Sequence, residues 1–167
     1  LIDREVLEQV ADYCQKTDTC LLLDECFHDF LEEGSVHTLL PRVKENPKLF
    51  VLRAFTKMYG MAGLRLGYGI CSDTELIRRM EQVTQPWNVS VPAQAAGIAA
   101  AREQEFVAVS RQMITEQKKL LLAGLEAAGA KVYGSAANYI FSGKHRDLIH
   151  GCIVPDLWYA TVEITMD

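Results

Sequence analysis

Two short, uninterrupted apolar runs constrain the fold of this chain more than any other feature, one at residues 20–23 and one at residues 49–52. Each is short, continuous and without alternation, which predicts a strand covered on both faces, as in a parallel sheet. Helical patterns precede both runs, at residues 3–15 with Asp3 as N-cap and at residues 41–45. This alternation of helix and strand predicts an α/β fold.

Polar residues with chemical potential follow both predicted strands. Asp24 comes directly after the first run, and Lys57 comes shortly after the second. Open α/β sheets bind ligands outside the carboxyl ends of their strands, so we expect these two residues to share a site. Thr56 places a hydroxyl beside the lysine, and Arg65 follows eight residues later with a fork of donors suited to phosphate. This spacing suits an amine reagent beside an anion clamp.

On the residues alone, a bland role stays open for each of these side chains. Lys57 is equally compatible with a solvated surface lysine, Asp24 with a cap on the next helix, and Arg65 with an ion pair on the sheet surface.

The rest of the chain predicts further helices and strands. Helices are expected at residues 74–83, 93–101 and 105–128, the last ended by Gly129, and strands at residues 65–70, 131–133, 139–142 and 161–165.

Two sequence motifs carry a family resemblance. Thr56-Lys57 followed by Gly-Leu-Arg-Leu-Gly-Tyr at residues 63–68 resembles the Schiff-base lysine motif of pyridoxal-phosphate-dependent class I and II aminotransferases. Leu-Leu-Leu-Asp-Glu-Cys-Phe at residues 21–27 resembles the strand that ends in the Asp-Glu-Ala-Tyr signature of the same family. Residues 85–90 and 135–139 resemble segments of its histidinol-phosphate aminotransferase and threonine-phosphate decarboxylase branch.

The resemblance implies a fold and a division into domains. The expected fold is the aspartate aminotransferase-like fold, with part of a mainly parallel large-domain sheet and a small α+β C-terminal lobe. Residues 1–103 would belong to the cofactor-binding large domain, and residues 104–167 to the linking helix and an incomplete small domain. The chain would be a C-terminal portion of a longer enzyme, whose N-terminal half carries other cofactor contacts.

The resemblance also implies roles for five residues around pyridoxal 5′-phosphate. Lys57 would form the Schiff base and then carry protons as the catalytic residue, and Asp24 would face the pyridine nitrogen. Thr56 and Arg65 would bind the phosphate, and Phe27 would lie at the cofactor.

Three departures from the family pattern bear on the reaction. Ala54 stands where many relatives have a hydroxyl residue, and Phe27 stands where tyrosine is common, so two hydrogen bonds to the cofactor are lost. Residues 161–165 resemble the late strand that usually carries the arginine for the substrate carboxylate, but they contain no arginine, and Arg146 is the nearest alternative.

Three functions stay open on this sequence. The first is amino transfer between an amino acid and a 2-oxo acid through Lys57. The second is decarboxylation of a phosphorylated amino acid such as threonine phosphate, motivated by Phe27, Thr56 and the Pro-Trp segment at residues 86–87. The third is a truncated, non-catalytic fragment.

Composition bears on partners and location. A formal net charge of −5 with no basic stripe argues against nucleic acid binding. No apolar run is long enough to predict a membrane span, so we expect a cytoplasmic enzyme, and the resemblance implies a homodimer. The five cysteines are odd in number and lack paired spacing, which predicts reduced, buried side chains and no metal site.

Overall fold

A three-stranded sheet organises the first part of the chain. The computed structural model describes residues 1–31 and 34–142. The strands are β1 (Leu21–Asp24), β2 (Leu49–Ala54) and β3 (Gly67–Ile70), with β2 between the other two. β1 and β2 are parallel, whereas β3 returns antiparallel to β2. The predicted α/β class is therefore confirmed.

The helices follow the sequence prediction closely where a local cap defines their first residue. They are α1 (Arg4–Lys16), α2 (Gly34–His37), α3 (Thr74–Val83), α4 (Val91–Ala100) and α5 (Gln104–Ala127). The side chain of Asp3 accepts the N–H of Glu5 and thus caps α1 as predicted, and Asp73 caps α3 in the same way. The short helix expected at residues 41–45 is instead a 3-10 helix, Leu40–Lys44.

The core lies on one face of the sheet. Its fully or almost fully buried side chains come from α1, the 3-10 segment and β2, namely Ala11, Leu39, Val43, Leu49 and Val51. Leu21 and Leu23 of β1 pack against this cluster from the neighbouring strand. Residues that alternate with these apolar positions therefore project from the opposite face.

The other face of the sheet brings β3 very close to an aromatic side chain. Phe50 of β2 is 5% exposed, and its ring lies against the backbone of Gly69. A Cβ atom at Gly69 would lie well inside van der Waals contact with the Phe50 ring. The absence of a side chain at Gly69 is thus what allows the ring to fit.

The chain divides into two compact units within α5, at Leu1–Arg111 and Gln112–Asp167. In the second unit, α5 ends in a Schellman motif, in which Ala130 N–H donates to Leu125 O and Gly129 adopts a positive φ of 78°. Strands β4 (Val132–Gly134) and β5 (Phe141–Ser142) then pair antiparallel, close to the predicted positions. The predicted strand at residues 161–165 and Arg146 lie outside the described residues. The predicted domain boundary after residue 103 stays a prediction.

The cysteine prediction is wrong in one respect. Cys14, Cys20, Cys26 and Cys71 are free thiols, but Cys20 is exposed and the other three are only half-buried. Apolar fillers of the core come instead from leucine and valine. Cys152 lies outside the described residues.

No helix within residues 1–31 and 34–142 combines the length and the apolar character that a membrane span requires.

The contact between Gly69 and Phe50 predicts opposite effects for two Gly→Ala substitutions. Gly69→Ala should destabilise the protein by about 1–3 kcal/mol, because the buried ring has to move away from the new methyl group. Gly124→Ala should stabilise it by about 0.5–1 kcal/mol, because Gly124 lies inside α5 with no atom near the added Cβ. Urea unfolding of both variants tests this, and equal effects of the two would refute the Gly69 contact.

Candidate functional site

The five predicted site residues line one cleft of about 610 Å³ in the Leu1–Arg111 unit. They are Asp24, Phe27, Thr56, Lys57 and Arg65. β1 supplies Asp24 at its last position, and the connection between β2 and β3 supplies Thr56, Lys57 and Arg65. Phe50 and Leu52 of β2 and Gly67 and Gly69 of β3 form other parts of the lining. The cleft thus lies at the carboxyl ends of the two parallel strands.

Asp24 presents an ionised carboxylate to this cleft. Its Oδ1 accepts the backbone N–H of Cys26 at 2.9 Å. Hydrogen bonds from the side chain and backbone of Cys26 lower the pKa of Asp24, and the positive charge of Lys57 adds to the effect against a small desolvation cost. Asp24 therefore closes a local turn and does not cap the next helical segment, His28–Phe30, whose N-cap is Phe27.

Cys26 contributes to the cleft although the sequence did not single it out. Burial and the hydrogen bond to Asp24 raise the pKa of its thiol to about 11. The thiol therefore stays protonated at neutral pH and acts as a donor to Asp24. Its position two residues after the aspartate was the available signal.

Lys57 extends its amine over an aromatic ring of the cleft. Its Nζ lies 5.1 Å from the centroid of the Phe27 ring, a cation–π arrangement. The backbone turns directly after the lysine, where Gly60 N–H donates to Lys57 O at 3.1 Å and Gly60 adopts a φ of 64°. Lys57 is exposed to solvent, as a surface lysine would be, but the surface that it occupies is the cleft.

Arg65 corrects one sequence prediction. A strand was expected from residue 65, but Arg65 has the left-handed φ of 54° and β3 begins only at Gly67. A non-glycine residue in this region interrupts the extended backbone and costs about 1–2 kcal/mol. The guanidinium Nη1 donates to Ala62 O at 3.1 Å, which uses one of its five donors. Within residues 1–31 and 34–142 no other hydrogen bond occupies the guanidinium, so its remaining donors can bind an anion in the cleft that Thr56 also lines.

A second group of charged residues lies under the ends of β1 and β2, and sequence reasoning missed it. The carboxylate of Glu25 is buried and contacts Arg53 Nη2 at 2.6 Å. Arg53 also lies 3.2 Å from Asp29 Oδ1. Strand alternation was the available signal, because Glu25 and Arg53 share the parity of the core residues Leu23 and Val51.

Within residues 1–31 and 34–142, no group of three His, Cys, Asp or Glu side chains is arranged so that it could bind a metal ion.

Comparison with known proteins gives relatives of one kind. The sequence model of the family described as aminotransferase class I and II matches residues 1–155. A histidinol-phosphate aminotransferase of Oleidesulfovibrio alaskensis is 38% identical over 136 residues, which are 80% of this chain and 35% of that protein. A protein of Caldanaerobacter subterraneus, provisionally named a threonine-phosphate decarboxylase, is 36% identical over 121 residues, 72% of this chain and 33% of that protein.

A solved structure supports the same fold. Histidinol-phosphate aminotransferase from Sinorhizobium meliloti, in complex with pyridoxal-5′-phosphate, superposes with a TM-score of 0.73 at 22% identity. The match covers 86% of this chain and 39% of that one. The predicted aspartate aminotransferase-like fold is confirmed by this likeness.

The matches cover most of this chain but only part of each relative. It spans about a third of the length of the curated relatives that it matches. The family model nevertheless matches most of the chain, and it does so over both motifs on which the resemblance rests. The chain belongs to the class I and II aminotransferase family.

Proposed function

We propose that the complete protein containing this chain is a pyridoxal-phosphate-dependent aminotransferase, and that Lys57 binds the cofactor covalently as a Schiff base. The observation that carries this proposal is the single cleft that collects Asp24, Thr56, Lys57 and Arg65 from two separate stretches of chain. The parallel pairing of β1 with β2 brings the carboxyl ends of both strands to the same edge of the sheet. At that edge these residues supply a carboxylate, a hydroxyl, an amine and a guanidinium.

The donor set fits the cofactor group by group. The ionised Asp24 carboxylate suits a protonated pyridine nitrogen, because the Cys26 hydrogen bonds already favour its charged form. The Lys57 amine suits an aldehyde, and the Thr56 hydroxyl with the uncommitted Arg65 donors suits a phosphate dianion. The cleft volume of about 610 Å³ lies in the range of small-molecule and cofactor sites.

When bound, the cofactor supplies an electron sink for the bonds at the substrate α-carbon. The chain's own residues hold it and move the proton. Once the substrate amine has displaced it, Lys57 Nζ would take the proton from the substrate α-carbon as general base and deliver it to the cofactor carbon as general acid. Asp24 keeps the pyridine nitrogen protonated through an opposite charge, and Arg65 holds the phosphate.

Phe27 takes the place of a hydrogen-bonding residue with an apolar surface. Its ring, 38% exposed, receives the Lys57 ammonium on its face. That contact orients the amine within the cleft and is worth about 0.5–1 kcal/mol at an exposed site. Ala54 likewise offers no hydroxyl, so Thr56 and Arg65 carry the phosphate contacts of this loop.

The second candidate reaction is decarboxylation of a phosphorylated amino acid with the same lysine and cofactor. The chain is nearly as similar to the Caldanaerobacter protein as to the histidinol-phosphate aminotransferase, which supports decarboxylation as the second candidate. Both reactions break a bond at the same α-carbon, and the orientation of the substrate decides which one.

Several broader expectations remain part of the proposal and rest on family membership. The substrates would be an amino acid and a 2-oxo acid, and the enzyme would be a cytoplasmic homodimer. Residues 1–103 would belong to the large domain and residues 104–167 to the linking helix and small domain. The third alternative is that the chain by itself is a non-catalytic fragment.

Lys57→Ala in the complete protein should abolish covalent cofactor attachment. After borohydride reduction, mass spectrometry should find a phosphopyridoxyl group on Lys57 of the wild type and none in the variant. Catalysis should fall by about 10²- to 10⁴-fold, the usual contribution of a general acid–base group. Lys48→Ala is the matched control, because Lys48 precedes β2 at its opposite end and pairs with Asp18. An adduct that persists in Lys57→Ala would refute the assignment.

Asp24→Asn should weaken catalysis without preventing cofactor attachment. Loss of one charged hydrogen bond, worth about 1.5–3 kcal/mol, corresponds to a fall in kcat/KM of about 10- to 150-fold. The pKa of Asp24 lies below its ordinary value of 3.8, so the wild-type carboxylate stays charged as pH falls to about 4 and loses its charge only below that value. A wild-type activity limb that reports Asp24 above pH 5 would contradict this.

Product analysis separates the two candidate reactions. With the complete protein, we expect amino transfer from histidinol phosphate to 2-oxoglutarate, which is measured as the amount of glutamate formed. Threonine phosphate should release no carbon dioxide. Stoichiometric carbon dioxide from threonine phosphate without glutamate formation would establish the decarboxylase instead, while the Lys57 adduct would be found in either case.

A further inference from the structure

An ion pair lies at the edge of the cleft: the Glu25 carboxylate faces the core, whereas Arg53 also lines the cleft, with 11% of its side chain exposed. Glu25 is 7% exposed, and its Oε2 contacts Arg53 Nη2 at 2.6 Å. Thr38 Oγ1 donates to the same carboxylate at 2.8 Å, and Leu39 N–H donates to Oε1 at 3.0 Å. The Glu25 carboxylate is therefore held by three separate donors.

The pair joins the two strands that carry the candidate cofactor residues. Glu25 directly follows Asp24, and its N–H donates to Leu52 O at 3.0 Å, which continues the β1–β2 ladder. Arg53 lies in β2, four residues before Lys57. Because neighbouring residues of a strand point to opposite faces, Asp24 lines the cleft while Glu25 points to the core.

Stability alone is a poor reason for such a pair. Replacing a buried ion pair with apolar residues is often neutral or stabilising, because desolvation offsets the attraction between the charges. By strand alternation Glu25 and Arg53 continue the rows of Leu23 and Val51, whose other members are apolar. Their charges, and their place at the strand ends, call for another explanation.

We infer that Glu25 and Arg53 are positioning residues, which fix the turn after Asp24 against β2 and keep the charge beneath the cofactor cleft balanced. This inference rests on the proposed function for its catalytic meaning. The positioning itself is a property of the described chain. Removal of either partner changes the net charge close to Asp24 and Lys57 by one unit. Without Glu25, Arg53 keeps only its longer contact to Asp29, and without Arg53, Glu25 loses its arginine partner.

Other charged and titratable groups surround the pair and have to be considered together. Asp29 contacts Arg53 Nη1, and Arg111 of α5 donates from Nε and Nη2 to Asp29 O at 2.9 and 2.7 Å. His28 Nδ1 lies 4.0 Å from Glu25 Oε2, and burial together with the Arg53 charge lowers the pKa of His28. The cleft side adds a further set of such groups, namely Asp24, Cys26, Lys57, Arg65 and Tyr68, and Arg53 lines the cleft as well.

Charge-specific variants test the inference in the complete protein. Glu25→Gln removes one negative charge and leaves Arg53 paired only with Asp29, so the pH midpoint of the bound cofactor's absorbance change should move down. Arg53→Gln leaves the negative charge of Glu25, so the midpoint should move up. Each shift should be about half to one pH unit, and the double variant should return towards the wild type. Loss of packing would not produce opposite signs.

A second readout does not depend on the cofactor. The Cys26 amide, bonded to Asp24 Oδ1, should exchange with solvent at least about tenfold faster in Glu25→Gln and in Arg53→Gln. The Val51 amide in the core serves as an internal reference for global unfolding. Arg42→Gln is the matched control, because Arg42 Nη2 forms a similarly short contact of 2.7 Å to Asp12 but is more exposed and lies away from the cleft. It should change neither the midpoint nor the Cys26 exchange.

The two measurements separate failure of the inference from failure of the proposed function. A wild type without a cofactor absorbance band would remove the proposed function, while faster Cys26 exchange in the two variants would still support positioning. Unchanged Cys26 exchange relative to Val51 would overturn the inference. Midpoint shifts of the same sign in both single variants would overturn the charge-balance part of it.

Discussion

The parallel pairing of β1 with β2 is the constraint on which the candidate site depends. The register runs from Leu21 opposite Leu49 to Asp24 opposite Leu52. Because one face of both strands is buried in the core, a slip of one residue would exchange the two faces. Asp24 would then point into the core and Glu25 into the cleft. The register that buries the leucines is thus the same register that presents the aspartate.

The Asp24-Glu25 pair shows how two neighbouring carboxylates take different roles from their surroundings. Asp24 is exposed, and hydrogen bonds from Cys26 within its own turn favour its charge. Glu25 is buried, where a charged group is tolerated only with a partner, and Arg53 from the next strand supplies that partner. The first side chain is free to bind a ligand, whereas the second is committed to the protein.

Local signals in the sequence predicted more of this structure than distant ones. The caps Asp3 and Asp73 act within two or three residues, so the starts of α1 and α3 could be predicted closely. The motif residues from Asp24 to Lys57 lie in one cleft because they follow neighbouring parallel strands, whose carboxyl ends share one edge of the sheet. The Glu25 to Arg53 contact spans 28 residues, and no local pattern specifies which buried acid meets which base.

The predicted strand begins two residues too early, at residue 65, because the sequence pattern reflects β propensity. The pattern does not show that the residue at the end of the loop has to adopt a left-handed backbone. The left-handed conformation of Arg65 ends the single 3-10 turn at Ala62–Leu64 before β3 begins. This short connection has no crossover helix, which is why β3 returns antiparallel while β1 and β2, separated by helical segments, are parallel.

The eight-residue spacing between Lys57 and Arg65 has a structural meaning in this loop. Phe55 N–H donates to Leu66 O at 3.1 Å and closes the loop at its base, directly beyond the pairing of Ala54 with Gly67. The lysine lies on the limb that leaves β2, and the arginine lies on the limb that enters β3. Their separation is therefore set by one pinned loop, whereas the position of Asp24 is set by the β1–β2 ladder. Two independent constraints meet at the cleft, and the Glu25–Arg53 pair lies where they join.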